Sequence, residues 1–282
     1  MLGAICCQRT EHSRRATDKR CDSGVAQGTE KEGRKEMRGD GVPPLLRPNP
    51  WGFWASVGLS AVIFGVFVMV QTMVTIAFAV ANQVPLQNLK ELESNGSVLY
   101  LATLTATPLA GGLTVWLASL RKPMRVGEYL ALKLPSGRAV VVSLLALAVY
   151  LVGCDSVSVW LGRPIVPEVM VEAYRTAGNK PLFWVALVLA APLFEEIFFR
   201  GFLFTGLQHS RVGGVGAIAL TSVLWAVIHL QYDWLGMLYI LVGGLVLGAV
   251  RLRTGSVSLC IFLHALMNFG ATLETIWLLQ YR

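Results

Sequence analysis

From Trp51 onward the chain is a succession of long apolar runs, and runs of that length leave a polypeptide very few folds. Crossing a hydrocarbon layer of ~30 Å takes about 20 helical residues at 1.5 Å each, with every backbone polar group bonded within the helix. Such runs fall at about 53–82, 97–120, 139–161, 183–207, 215–230, 234–250 and 256–279. The first carries no charge between Arg47 and Lys90. Pro108 lies inside the second, where a membrane helix tolerates it better than a soluble one. Seven spans are expected; the fifth is short enough to be partly immersed, and an eighth piece within 163–181 is the alternative. The expected fold class is an all-α polytopic membrane protein, a bundle of about seven transmembrane helices.

Composition supports lipid as the solvent. The 282 residues are 54% hydrophobic and 15% charged, with a mean hydropathy of +0.58, whereas a soluble domain carries about 25% charged residues. A soluble enzyme is excluded on that ground. The net charge of +7 comes from interleaved signs rather than one basic face, so no nucleic-acid partner is expected. Five cysteines with no CxxC pair give neither a zinc finger nor a disulfide framework.

Three regions are expected. Residues 1–50 read as a disordered, basic tail ending in a proline-rich stretch, without the apolar segment of a secretory leader. Met37 is the expected start of translation, because the composition changes to membrane type soon after it. The Cys6–Cys7 pair is only weak evidence of acylation. Residues 51–161 are expected to form the N-terminal transmembrane helices, and 180–280 a second transmembrane core.

Loop charge sets the expected orientation. Arg121, Lys122, Arg125, Lys133 and Arg138 oppose only Glu128 in the 121–138 connection, and Arg211, Arg251 and Arg253 fall in alternate connections on the same side. The opposite connections are leaner or mixed. The N-terminus is therefore expected in the cytoplasm and the C-terminus outside, in a bacterial inner membrane.

Ionisable side chains within spans are costly and mark function. Here they are Glu195, Glu196 and Arg200 in the fourth run, His229 in the fifth and His264 in the seventh. Counting from the shared loop ends places Glu195, His229, His264 and Asn268 at a common depth of about 13–22 Å. Glu196 and Arg200 lie at i,i+4, acid first, the favourable order for a pair, and Glu195 is turned about 100° away. His264 and Asn268 are also four apart. A structural ion pair and a buried packing network are the bland readings of the same residues. Gly244 and Gly248 read as helix packing.

Three motifs give these residues a specific resemblance. Ala191-Pro-Leu-Phe-Glu195-Glu196-Ile-Phe-Phe-Arg200-Gly201 looks like the EExxxR motif of the CPBP family. That family is one of intramembrane proteases including Rce1-type CAAX prenyl endopeptidases and bacterial abortive-infection or bacteriocin-immunity proteins. Trp225-Ala-Val-Ile-His229 resembles its FxxxH motif with Trp in place of Phe, and His264-Ala-Leu-Met-Asn268 its HxxxN motif. The Trp is expected to pack rather than react. The resemblance covers about 180–270; earlier helices match in hydropathy alone. It implies an endopeptidase in which Glu195 and His229 activate a water, Glu196 tethered by Arg200 orients it, and His264 and Asn268 donate to the oxyanion.

A zinc version would use Glu195, His229 and His264 as ligands beside an open position. Family naming leans towards a metalloprotease, while the lack of HExxH and the amide of Asn268 lean towards a glutamate-activated water, so the sequence leaves both open. The expected partners are membrane lipid and a membrane-associated peptide or protein substrate. The alternatives are a non-catalytic scaffold or immunity protein and a proton-coupled transporter. A transporter predicts an inverted repeat, and none is evident.

Overall fold

The computed structural model describes residues 49–281. The tail assignment, the Cys6–Cys7 pair and the Met37 start therefore lie outside the described residues. Described residues are helical or irregular, with no strand among them. In chain order the elements are α1 (Phe53–Ala81), a 3₁₀ turn (Leu86–Ser94), α2 (Gly96–Ser119), α3 (Val126–Tyr129) and α4 (Gly137–Trp160). They continue with α5 (Glu168–Thr176), α6 (Lys180–Gln208), α7 (Gly213–Val227), α8 (Trp234–Thr254) and α9 (Val257–Tyr281).

Six of these, α1, α2, α4, α6, α8 and α9, are long and apolar enough to cross a membrane. This is an integral, multi-pass, all-α membrane protein. The expected fifth span is α7, whose 15 residues rise about 22 Å, short of a ~30 Å core. The piece sought within 163–181 is α5, nine residues with polar Glu172 and Arg175 among them, too short to span.

Helix starts follow local chemistry. Asn95 accepts from the Ser97 and Val98 N–H groups to open α2, Ser136 from Ala139 to open α4, and Asn179 from Leu182 just ahead of Pro181 in α6. Asp233 caps α8 through the Gly236 N–H, and that bond with the Arg163 guanidinium holds its carboxyl below the usual range. Gly255, at φ 62°, closes α8 in the left-handed conformation that glycine takes without penalty.

Burial separates an inner from an outer layer. Only 6% of the apolar window of α1 and 11% of that of α4 is buried, against 44% of α8, so α1 and α4 present most of their surface to lipid. The core is built from aromatic and aliphatic residues of α6, among them Phe194, Phe198, Phe199, Phe202 and Phe204, against Trp225, Leu247 and Leu263. Glycine brings α7 and α8 together: a Cβ on Gly244 would lie 3.0 Å from Ser222 and one on Gly248 3.0 Å from Ile218. That is the packing role expected of the two glycines.

Side-chain bonds tie the connections into two ends. At one, Arg121 bonds Asn49, Thr205 donates to the Tyr129 carbonyl, and Ser256 donates to the Lys133 carbonyl at 2.5 Å. At the other, Ser97 donates to the Thr176 carbonyl and Arg163 pairs with Asp233. The first end collects the basic residues of the 121–138, 209–212 and 251–255 connections. The second carries Glu91, Glu93, Glu168 and Glu172 alongside Lys90 and Arg175.

Candidate active site

α6 is not a regular helix. Two stretches, Val185–Ala190 and Ile197–Leu203, run in the wider π register, on either side of the turn that carries Glu195 and Glu196. A return from π to α register leaves a carbonyl without its helical donor, and π segments cluster at functional sites. In the first stretch the Ala191 N–H bonds the Ala186 carbonyl, and residue 192 is a proline with no N–H to give. The Leu187 carbonyl is thereby freed, and the Asn268 amide donates to it at 2.8 Å. In the second, the Phe204 N–H bonds Phe199, and the Arg251 Nε donates to the Arg200 carbonyl at 2.9 Å. Arg251 is buried with Thr205 and the Phe204 ring as its other partners.

Between the π stretches the two acids diverge. Glu196 is fully buried; its Oε1 accepts from Arg200 at 3.1 Å and lies 3.0 Å from the His264 Nδ1. Arg200, fully buried as well, reaches the Gly244 carbonyl at 3.4 Å and stacks over the Trp225 ring. Glu195 is partly exposed and has no arginine partner among the described residues; its Oε2 accepts the Trp225 indole N–H at 2.5 Å. The i,i+4 pairing expected for Glu196 and Arg200 is present, and Glu195 is turned away from it.

The two histidines take different partners. His264 sits against Glu196. His229 lies just beyond α7, where its Nδ1 meets the Trp225 carbonyl at 2.7 Å, an acceptor that makes Nδ1 the protonated nitrogen and leaves Nε2 with its lone pair. The common depth expected for Glu195, His229 and His264 corresponds to contact of all three with one indole. Asn268 stands apart from this group: one N–H of its amide bonds the α6 backbone and braces the helix that carries the acids.

Two residues here escaped sequence reasoning. Trp225, expected to pack rather than react, also bonds the Glu195 carboxylate. The signal was available, since indole is the one hydrocarbon-like aromatic with an N–H donor. Tyr232 is the second: burial first, and the Glu195 carboxylate second, push its phenol up to about 12, keeping it a neutral donor beside that acid. Spacing from any motif gave no sign of it.

The zinc version can be tested on the donors. Among the described residues no three His, Cys, Asp or Glu side chains come together in a way that could hold a metal ion. The Trp225 ring stands edge-on to both His229 and His264, with ring centroids 5.5 and 5.1 Å away, and engages Glu195 as well. Glu195, His229 and His264 thus meet the indole in place of a shared metal position. This ligand set does not fit zinc as arranged.

Residues 177–270 match the family described as Type II CAAX prenyl endopeptidase Rce1-like. The match takes in Glu195, Glu196, Arg200, His229, His264 and Asn268, and leaves α1, α2 and α4 outside it. Comparison with curated proteins and with solved structures gives no match.

Proposed function

We propose that the protein is an intramembrane endopeptidase of the CPBP type that hydrolyses a peptide bond of a membrane-associated substrate with a Glu/His-activated water. The observation that carries this reading is the buried Glu196–Arg200–His264 cluster adjoining a partly exposed Glu195, within the segment that matches the protease family. A packing network alone would have no use for an acid left open beside a fully neutralised one.

In this reading Glu195 is the base that takes a proton from the attacking water, with the free Nε2 of His229 aiding it. Glu196 binds the His264 Nδ1 proton, so a neutral His264 presents a lone pair at Nε2. His264 therefore donates to the oxyanion only as the imidazolium, which Glu196 stabilises across 3.0 Å. Asn268 acts through the helix it braces. The substrate is a peptide or protein held at the membrane.

We read α7 as a seventh passage of the chain. Asn49 is tied to Arg121 at the basic end, and α9 runs from that end, where the Val257 N–H bonds Ala131, to the opposite one. With Asn49 and the end of α9 at opposite ends, the chain between them makes an odd number of passages. The basic end faces the cytoplasm of a bacterial cell; labelling of cysteines placed at 121–138 from outside intact cells would reverse this.

The decisive experiment incubates wild type and Glu195→Gln protein, both in vesicles, with membrane-anchored peptides and reads products by mass spectrometry. Products from wild type that Glu195→Gln does not make support the endopeptidase. Equal products from both, or none from either across a diverse peptide set, favour a scaffold or a transporter.

A further inference from the structure

The Trp225 side chain touches four ionisable groups of the proposed site, Glu195, Arg200, His229 and His264. It is 2% exposed. Its indole N–H donates to Glu195 Oε2 at 2.5 Å, its edge contacts are to His229 and His264, and the Arg200 guanidinium lies 4.6 Å from its ring centre. Its backbone carbonyl fixes the tautomer of His229. A phenylalanine here would keep the ring contacts and the carbonyl and lose the one donor.

That donor has a specific consequence. Glu195 takes no other hydrogen bond from the described residues, so a single bond sets which way the carboxylate faces. A side chain hung on χ1 to χ3 alone would sample several orientations. A bond from a neutral donor to a carboxylate is about twice as strong as one between neutral groups, and the surrounding low dielectric strengthens it further.

We propose that Trp225 is a positioning residue, its indole N–H holding Glu195 Oε2 so that Oε1 is presented to the attacking water. The proposal rests on the endopeptidase reading above. The residue does not touch substrate; it acts through Glu195. Its loss therefore lowers kcat and kcat/KM together and leaves KM in place, the pattern for an interaction made in the transition state.

Two measurements on the full-length protein in nanodiscs test it. First, tryptophan indoles are labelled with ¹⁵N, and the Trp225 resonance is identified by its absence in Trp225→Phe. The expected proton signal lies downfield of the other indoles and moves upfield in Glu195→Gln. A Trp225 signal that ignores Glu195→Gln overturns the proposal, and this readout needs no substrate. Second, Trp225→Phe is expected to lower kcat about 10- to 100-fold, the loss of one bond to a charged group, with KM within about twofold. Trp225→Leu should be no better than Trp225→Phe. Full kcat in Trp225→Phe with a loss only in Trp225→Leu means the ring packs and nothing more, and overturns the proposal. Trp225→Phe must accumulate and melt like wild type for its kcat to count; if it does not, the Glu195-dependent shift in wild type decides alone. Absence of any cleavage by wild type, with that shift intact, removes the endopeptidase reading and the positioning role with it while leaving the bond in place.

Discussion

Removing either partner of the Glu196–Arg200 pair should destabilise the protein, and the two removals should not be equal. Both side chains are fully buried and 3.1 Å apart. At that separation and an effective dielectric of ~20, their attraction is about 5 kcal/mol. Breaking a buried pair by deleting one partner typically costs ~3–5 kcal/mol, because the other charge is stranded. What is stranded differs. Glu196→Ala leaves Arg200 with one long bond to the Gly244 carbonyl and the faces of Trp225 and Phe199, none of them anionic. Arg200→Met leaves Glu196 with His264 at 3.0 Å, and one proton taken up by that imidazole restores a neutral pair. We expect Glu196→Ala to cost the full ~3–5 kcal/mol and Arg200→Met roughly half of it, while Glu196→Gln/Arg200→Met recovers stability over Glu196→Ala. Thermal melts in a fixed detergent, followed by exposure of buried Cys260 to a thiol dye, give the order. Arg200→Met melting below Glu196→Ala would refute the compensating role of His264. Both singles melting like wild type would refute burial of the pair.

Three further outcomes follow from the packing. Asn268→Ala and Asn268→Asp should each cost ~1–3 kcal/mol of stability, because either strands the Leu187 carbonyl, and Asp should be no better than Ala since it cannot donate; a wild-type melt in Asn268→Asp would show that the amide is not the brace. Gly206→Ala should fail to accumulate in the membrane, because its Cβ would fall 1.8 Å from the Ser56 hydroxyl and 3.2 Å from the Trp51 carbonyl; Gly206→Ala combined with Ser56→Gly should recover in part, and equal loss in both would point to another cause. Prolonged phenanthroline should leave cleavage unchanged, since no three ligands converge among the described residues; activity lost to the chelator and restored by zinc would reverse that.

The spans were legible because hydrophobic runs are set by lipid thickness alone. The expected 53–82, 97–120 and 139–161 match α1, α2 and α4 within two residues at each end. α7 was overrun because Ile228 and Leu230 prolong its apolar run after the helix itself has stopped at Val227. Hydropathy cannot see that His229 stands on irregular backbone. In the site, i,i+4 spacing gave the Glu196–Arg200 pair, since a single helix fixes it. Which acid His264 would meet was not legible, because that depends on the rotation of α9 about its own axis. The π register of α6 was equally hidden: it is a pattern of backbone bonds, and Val185–Ala190 reads as ordinary helix by composition.

Each π segment of α6 holds one more residue than an α-helix of the same rise. Excising one residue between Val185 and Ala190 would let the backbone close into plain α register with the segments on either side near their present phase. Phe183 would stay packed with Tyr100 and Ala173, and the turn carrying Glu195 and Glu196 would stay where it is. What would go is the open Leu187 carbonyl, and with it the acceptor that ties the Asn268 amide to this helix. The extra residue exposes one backbone acceptor without re-aiming either half of the helix.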